Sequence, residues 1–332
     1  MDNPTRTPDD PGGIPVVVLM TDHGSHEGSA EPLAQAVERL TGRPAVRVDA
    51  RHFMAGGGGR ADLVPEGLRL EVPAKGFVAV PDVLVVYEVR PHRRGELAGF
   101  LDRLPPDGPV GPGAGRRGWR DATDKRRAVQ CFRRAGVAHM PTIALHRPDA
   151  GAASAALREL GGDAWARPAV GAGGADVFHV TGEPELHRAA AHYAGKGQDW
   201  LLSRDAGNFG PDGRRHQFRV VVLGDRVLRV CEHVQGDPDA PCNEARGAVS
   251  GVLPVEALPE RYRALAIAAT RSLGLVFGGV DLAVENGGVV FEVNVHPTLA
   301  VPGGLESMAV PLVQAHLSRY GATGDVVVSA IG

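Results

Sequence analysis

Three oxygen-bearing side chains near the end of the sequence have the spacing of a cation site. In GGVDLAVENGGVVFEVNVHP (278–297), two runs rich in β-branched residues flank Asn286-Gly287, a dipeptide suited to both positive-φ positions of a two-residue type I′ hairpin turn. That turn would pair Glu285 with Gly288 and, in unbroken register, set Asp281 opposite Glu292. Carboxylates opposed on neighbouring strands lie about 5 Å apart at Cβ and destabilise the sheet unless a cation separates them. Asn294 follows Glu292 by two residues and so shares its face of the strand. Asp281, Glu292 and Asn294 thus offer hard oxygen ligands suited to Mg²⁺ (or Mn²⁺) that shares its shell with water and phosphate oxygens. The same residues would also serve as the solvated face of an ordinary hairpin.

Two further features suit an anion. The Gly-rich loop 171–174, with glycines at 171, 173 and 174, lies between two expected strands and fits neither the P-loop nor the dinucleotide-binding pattern. It can bring backbone N–H groups close to a phosphate, with Arg167 four residues earlier. Lys125 stands at the start of a helix, where the macrodipole disfavours a cation unless an anion is shared between them. Lys75, Lys125 and Lys196 are the only lysines among 36 basic residues, so Lys125 is retained against a bias toward arginine. A flexible turn and a solvated lysine are the ordinary alternatives. His23 and His26 occupy the loop after the first strand, where open α/β sheets place ligand-binding groups. No third metal ligand accompanies them, and the loop reads as part of a substrate entrance.

The elements that must position these groups follow from hydrophobic periodicity. IPVVVLM, a helix with Leu33, Val37 and Leu40 on one face, and AVRVDA form a βαβ unit; PDVLVVYEV and a short helix around 96–104 complete an N-terminal α/β domain over 14–110. The Pro- and Gly-rich stretch 105–118 marks a boundary. A helix capped by the Thr123 hydroxyl and stopping at Gly136 opens a central lobe over 115–198. A C-terminal lobe over 199–330 holds a hairpin turning at Gly224-Asp225, a long helix over 259–273, the Asn286-Gly287 hairpin with the metal-type residues, and a final helix.

Composition narrows the function classes. A net charge of −3 over 332 residues gives no global positive field for nucleic acid or an anionic membrane. No apolar run approaches the ~18 residues of a membrane span, and the N-terminus does not read as a signal peptide. A cytoplasmic protein with small-molecule partners is expected, and a homo-oligomer is left open. Cys131, Cys231 and Cys242 show no zinc spacing and read as reduced thiols.

In order and spacing, the motifs over residues 115–320 resemble the ATP-grasp superfamily, in particular the branch of the ribosomal-protein glutamate ligase and glutathione synthetase-like carboxylate–amine ligases. Asp124-Lys125, the segment from Gly136 to Pro141-Thr142, Arg167-Pro168 before the glycine loop, Gly279-Val280-Asp281 and Glu292-Val293-Asn294-Val295-His296-Pro297 carry the resemblance. It implies an α/β (α+β grasp) fold, with an N-terminal Rossmann-like pre-ATP-grasp domain followed by a two-lobed ATP-grasp. It also implies ATP and Mg²⁺ as cofactors. Lys125, Arg167 and Gly171, Gly173 and Gly174 would then face phosphates, Leu201 and Leu202 the adenine, Asp205 the ribose, and Asp281, Glu292 and Asn294 the metal. Arg219, kept where the family's Asp-x-Arg becomes Gln217-Phe218-Arg219, would orient a substrate carboxylate or oxyanion, assisted by Asn243 and Arg246. The expected activity is an ADP-forming ligase that joins a carboxylate to an amine of an amino acid or short peptide through an acylphosphate. The alternatives are a ribosomal-peptide macrocyclase of the same chemistry and a non-catalytic nucleotide-binding regulatory module.

Overall fold

The computed structural model describes residues 13–104, 116–146 and 150–321, which fall into two compact units, Met1–Arg116 with Thr298–Gly332 and Arg117–Pro297. In the first unit, β1 (Val17–Thr21) is buried along its whole length, the pattern of a parallel strand covered on both faces. α1 (Ala30–Thr41) follows it. The Glu88 carboxylate accepts from the backbone N–H groups of Gly28 and Ala30 at 3.0 and 2.9 Å, placing an acid where the first turn of a helix leaves donors unpaired. β2 (Val46–Asp49) pairs parallel with β1. Next comes an antiparallel meander of β3 (Arg60–Val64), β4 (Gly67–Val72) and β5 (Phe77–Ala79) that the sequence reading passed over. Its signal was the alternation of Leu68, Leu70 and Val72, buried, with Gly67, Arg69 and Glu71. β6 (Val83–Tyr87) completes a sheet of order β2-β1-β6, and α2 (Arg94–Leu101) follows.

The second unit opens with α3 (Arg116–Thr123) and α4 (Lys125–Ala135). The cap of α4 is Asp124, whose side chain accepts from Arg126 N at 3.0 Å, and not Thr123; α3 lies partly in the stretch expected to be a boundary without a helix. β7 (Thr142–Leu145), α5 (Ala150–Glu159), β8 (Ala164–Pro168), β9 (Phe178–Val180), α6 (Glu183–Gly195) and β10 (Trp200–Arg204) follow, with sheet order β7-β10-β8-β9. Leu145, Leu157, Leu160, Ala166, Leu186, Tyr193, Trp200 and Leu202 pack between one face of this sheet and its helices. By strand alternation the other face carries Trp165, Arg167, Leu201 and Ser203. Because β10 pairs with both β7 and β8, the boundary expected at 198/199 moves to the end of that strand.

β11 (Arg215–Leu223) and β12 (Arg226–Gln235) meet at Gly224-Asp225 as the sequence predicts, followed by β13 (Val249–Leu253). Then come α7 (Glu260–Ser272), β14 (Phe277–Ala283) and β15 (Val289–Asn294). The antiparallel order is β13-β12-β11-β14-β15. Tyr262, Ala266 and Ala269 of α7 are buried on the sheet, above Val220, Val280, Leu282 and Val293. The opposite face carries Gln217 beside His233, and Arg219 between Cys231 and Asp281. α8 (Val310–Gly321) packs on α1 and β6. Residues 298–321, expected in the C-terminal lobe, therefore group with the first unit; residues 322–330 of that expected lobe lie outside the described residues. None of the described helices is long and apolar enough to cross a membrane.

The Asn286-Gly287 hairpin turns as expected, with φ +50° and +91° at the two central residues and Gly288 N donating to Glu285 O at 2.9 Å. Its register is not unbroken. Ala283 pairs with Val289 and Leu282 with Val290, and a bulge at Phe291 then brings Asp281 opposite Glu292. Gly288 makes this turn possible: at φ +85° a Cβ there would lie 2.3 Å from Tyr262 Cε1, whereas Gly287 has open space around it. Gly288→Ala should therefore cost ~2–4 kcal/mol in denaturant unfolding, as clash adds to positive-φ strain. Gly287→Ala should cost only ~1–2 kcal/mol.

Candidate functional site

Asp281 lies on the face of β14 turned away from α7 and is 3% exposed. Arg219, its partner on β11, meets it fork to fork, Nε to Oδ1 at 2.7 Å and Nη2 to Oδ2 at 2.8 Å. The charge of Asp281 raises the Arg219 guanidinium still further above its ordinary value. Part of the cation expected between the two carboxylates is thus supplied by the protein. Arg219 thus turns Nε and Nη2 of its fork to Asp281. Asn294 donates from Nδ2 to Asp281 Oδ2 at 3.1 Å.

Glu292, across the ladder, is balanced from elsewhere. Lys125, at the start of α4, places Nζ 3.2 Å from Glu292 Oε2 and 2.9 Å from the carbonyl oxygen of Gly171. Its backbone N donates to Ala169 O at 2.9 Å, which ties the helix start to the chain just after β8. Burial works against the Glu292 charge, yet Lys125, Arg167 and Arg219 together hold its carboxyl below the usual range.

Arg167 is buried under the same cluster. Nη2 donates to Ser203 Oγ at 3.0 Å and Nη1 to the carbonyl of Phe291, the bulge residue, at 3.3 Å. Nε is buried without a hydrogen-bond partner among the described residues. Burial lowers the Arg167 pKa and Glu292 opposes that shift. The guanidinium joins β10 to β15 with two arms, a geometry a lysine cannot reproduce.

The glycine loop closes the group. Gly173 and Gly174 have φ of +69° and +65°, and a Cβ on Gly174 would sit 3.3 Å from Asn243 Cβ and 3.5 Å from Arg246 Cγ. Asn243 Oδ1 accepts from Ala245 N at 2.9 Å and so caps the short turn 244–246. Gln235 donates to Arg246 O at 2.9 Å and holds that loop on β12. Lys125, Arg167, Gly171, Gly174, Arg219, Asn243, Arg246, Asp281, Glu292 and Asn294 are therefore brought together.

Two expected nucleotide contacts are not. Leu202 points into the helix-side core; only Leu201 shares the face of Arg167. Asp205 accepts from Trp165 Nε1 at 2.6 Å and from Gly207 N at 2.6 Å, and pairs with Arg215 Nη1 at 2.7 Å. Its oxygens are thus already engaged by groups of the protein. Asp205 also belongs, with Asp163 and His179, to a group of metal-ligand type. There the Arg215 charge already neutralises it, and His179 bridges Asp163 and Asp239 at 2.7 Å each while stacking on Trp165. In the first unit His23 N donates to Asp49 Oδ1 at 3.3 Å and His26 is exposed. Among the described residues they join no metal-type group. Ser203, the bulge carbonyl of Phe291 and His233 were missed in the sequence, since each acquires meaning only through a partner distant along the chain.

Residues 207–303 match the RimK-like ATP-grasp domain. Over 89 residues the chain is 36% identical to a probable alpha-L-glutamate ligase of Enterobacter sp. (strain 638), and 34% to a ribosomal protein bS6--L-glutamate ligase of Escherichia fergusonii. Each match covers 26% of this chain and 29% of the relative, so the chain spans under a third of the length of the curated relatives it matches. Among solved structures, D-alanyl-alanine synthetase A of Vibrio cholerae O1 superposes with TM-score 0.67 at 17% identity, covering 92% of this chain and 98% of that one. D-cycloserine synthetase DcsG gives 0.66 at 20% over 92% and 99%. The ATP-grasp ligase PsnB, complexed with a minimal precursor, gives 0.64 at 16% over 92% and 98%. The resemblance read from the sequence is borne out, and the fold is the ATP-grasp.

Since buried Asp281 is balanced by the partly exposed Arg219, removing either charge weakens the other. Asp281→Asn should lower stability by ~1–3 kcal/mol in denaturant titration, and the double variant Asp281→Asn/Arg219→Met should recover a substantial part of it. Equal losses in the single and double variants would show that the pair does not govern the sheet.

Proposed function

We propose that this chain is an ATP- and Mg²⁺-dependent ligase that joins a carboxylate to an amine, with an amino acid or short peptide as substrate. The observation that carries the reading is Lys125 Nζ, which contacts both the phosphate-type loop, at Gly171, and the metal-type pair, at Glu292. One cation links the two halves of a nucleotide site. The named glutamate ligases and D-alanyl-alanine synthetase support an amino acid as substrate. The likeness to a ligase solved with a precursor peptide supports a peptide substrate, on which the second reading, a ribosomal-peptide macrocyclase, depends.

The chemistry begins from an unreactive group. A carboxylate is a poor electrophile with no usable leaving group, and transfer of the γ-phosphoryl group of ATP to it supplies one. Because such transfer needs positioning and charge stabilisation more than covalent help, the cluster suits it. Asp281, Glu292 and Asn294 form a hard oxygen donor set that fits Mg²⁺ or Mn²⁺, which when bound would withdraw charge from phosphate oxygens. Lys125 and the N–H groups of loop 171–174 would hold the phosphates, with Arg167 adding charge from beneath. Leu201 offers apolar contact to the base. Asn243 and Arg246, beside Gly174, would hold the acceptor side. Arg219 holds the Asp281 carboxylate in place through its two-armed contact.

With Mg·ATP and pooled amino acids and peptides, the expected products are ADP and phosphate. AMP with pyrophosphate would overturn the mechanism. Nucleotide binding without turnover on any pool would favour a regulatory module. Glu292→Gln should lower turnover at least 100-fold and also lower the melting temperature, because Lys125 and buried Arg167 lose the carboxylate that balances them. A variant at near wild-type rate under saturating ATP and Mg²⁺ would remove Glu292 from the metal set.

A further inference from the structure

We propose that His233 is the general base that takes a proton from the incoming amine, an inference that rests on the ligase reading above. His233 pairs with Gln217 on β11 and with Ser250 on β13. It shares the face that bears Arg219 and Asp281, and β11 is the one strand between its own and that of Asp281. The residue is 8% exposed. Nδ1 is hydrogen-bonded to Ser250 Oγ, and Nε2 is buried with no partner among the described residues. With Nδ1–H donating to the serine, Nε2 carries the lone pair. A buried polar atom left unpaired in a candidate site calls for a partner that binding would supply.

The surroundings favour an unprotonated ring. Burial and the Arg219 cation lower the pKa of His233, against the opposing charges of Asp281 on β14 and Glu244 in the turn 244–246; Gln217 and Ser250 face it as neutral groups, and Cys231 lies two residues away on its own strand. An amine arrives as ammonium and cannot attack. Nε2 takes one N–H proton, and the freed nitrogen pair forms the C–N bond at the acylphosphate carbonyl. The C–O bond to phosphate breaks with its electron pair on phosphate oxygen, and the second N–H proton leaves with the phosphate. His233 returns its proton to solvent. Ser250 is a positioning residue that fixes the tautomer.

The test compares an ordinary amine with hydroxylamine, which is largely unprotonated at neutral pH and needs no base. His233→Gln should lower amide formation about 100-fold or more at neutral pH, while ATP-dependent hydroxamate formation stays within about threefold of wild type and kcat/KM for the amine rises with pH along the free-amine fraction alone. Ser250→Ala, at an exposed position, should reduce amide formation severalfold and leave hydroxamate formation unchanged. An unchanged amide rate in His233→Gln overturns the proposal. So does an equal loss with amine and hydroxylamine in both variants, which would place the pair in phosphate binding or folding. Failure of the wild-type enzyme to form ADP with any amine or with hydroxylamine would instead refute the ligase reading itself.

Discussion

The two carboxylates Asp281 and Glu292, set side by side on neighbouring strands, repel one another, and the surrounding unit is organised around relieving that repulsion. Each relieving cation comes from a different element: Arg219 from the adjoining strand, Lys125 from the start of α4, Arg167 from beneath on β8. The first is local to the sheet. The other two reach Glu292 from the central lobe, so the electrostatic problem of one sheet becomes a tie between two. The same tie draws the glycine loop inward, since Lys125 holds Gly171 as well.

The bulge at Phe291 serves both halves of this arrangement. By placing one extra residue in β15 it offsets the shifted pairing next to the turn, and so keeps Asp281 opposite Glu292. It also exposes the Phe291 carbonyl to Arg167. Bulges recur where a strand must re-aim its groups beside a functional site. Here the re-aimed groups are a carboxylate and a backbone oxygen in consecutive residues, and both meet cations from the central lobe.

Local signals made the hairpin and its acidic pair legible in the sequence. Asn286-Gly287 fixes a turn, and a period of two fixes which side chains share a face. Parity could not say which face of β10 the helices cover, and so Leu201 and Leu202 were assigned together although they point oppositely. Asp205 looked available because its ion-pair partner, Arg215, lies ten residues downstream. His233 gave no signal at all: it sits in an ordinary strand, and its significance depends on Gln217, Ser250 and Arg219, which only the sheet brings near. Chain-wide drift toward arginine likewise hid the reason for Arg167.

That drift offers a simple account of Arg167, in which codon preference replaced a lysine without consequence. The geometry gives a more specific one. A lysine extending from β8 presents a single ammonium, whereas the planar guanidinium meets Ser203 and the bulge carbonyl with two separate nitrogens and still places its charge near Glu292. Ser203 is in turn bonded to Thr142 at 3.0 Å, so the arginine connects three strands of the central sheet to the bulge of the C-terminal one. Lys125 occupies the opposite situation. Its Nζ lies between a backbone carbonyl and a carboxylate, two acceptors that a compact ammonium can serve from one point and a wide fork cannot without displacing the glycine loop. An arginine at the first site and a lysine at the second are each the cation whose shape matches the acceptors present, which makes the composition of the chain a poor guide to either position.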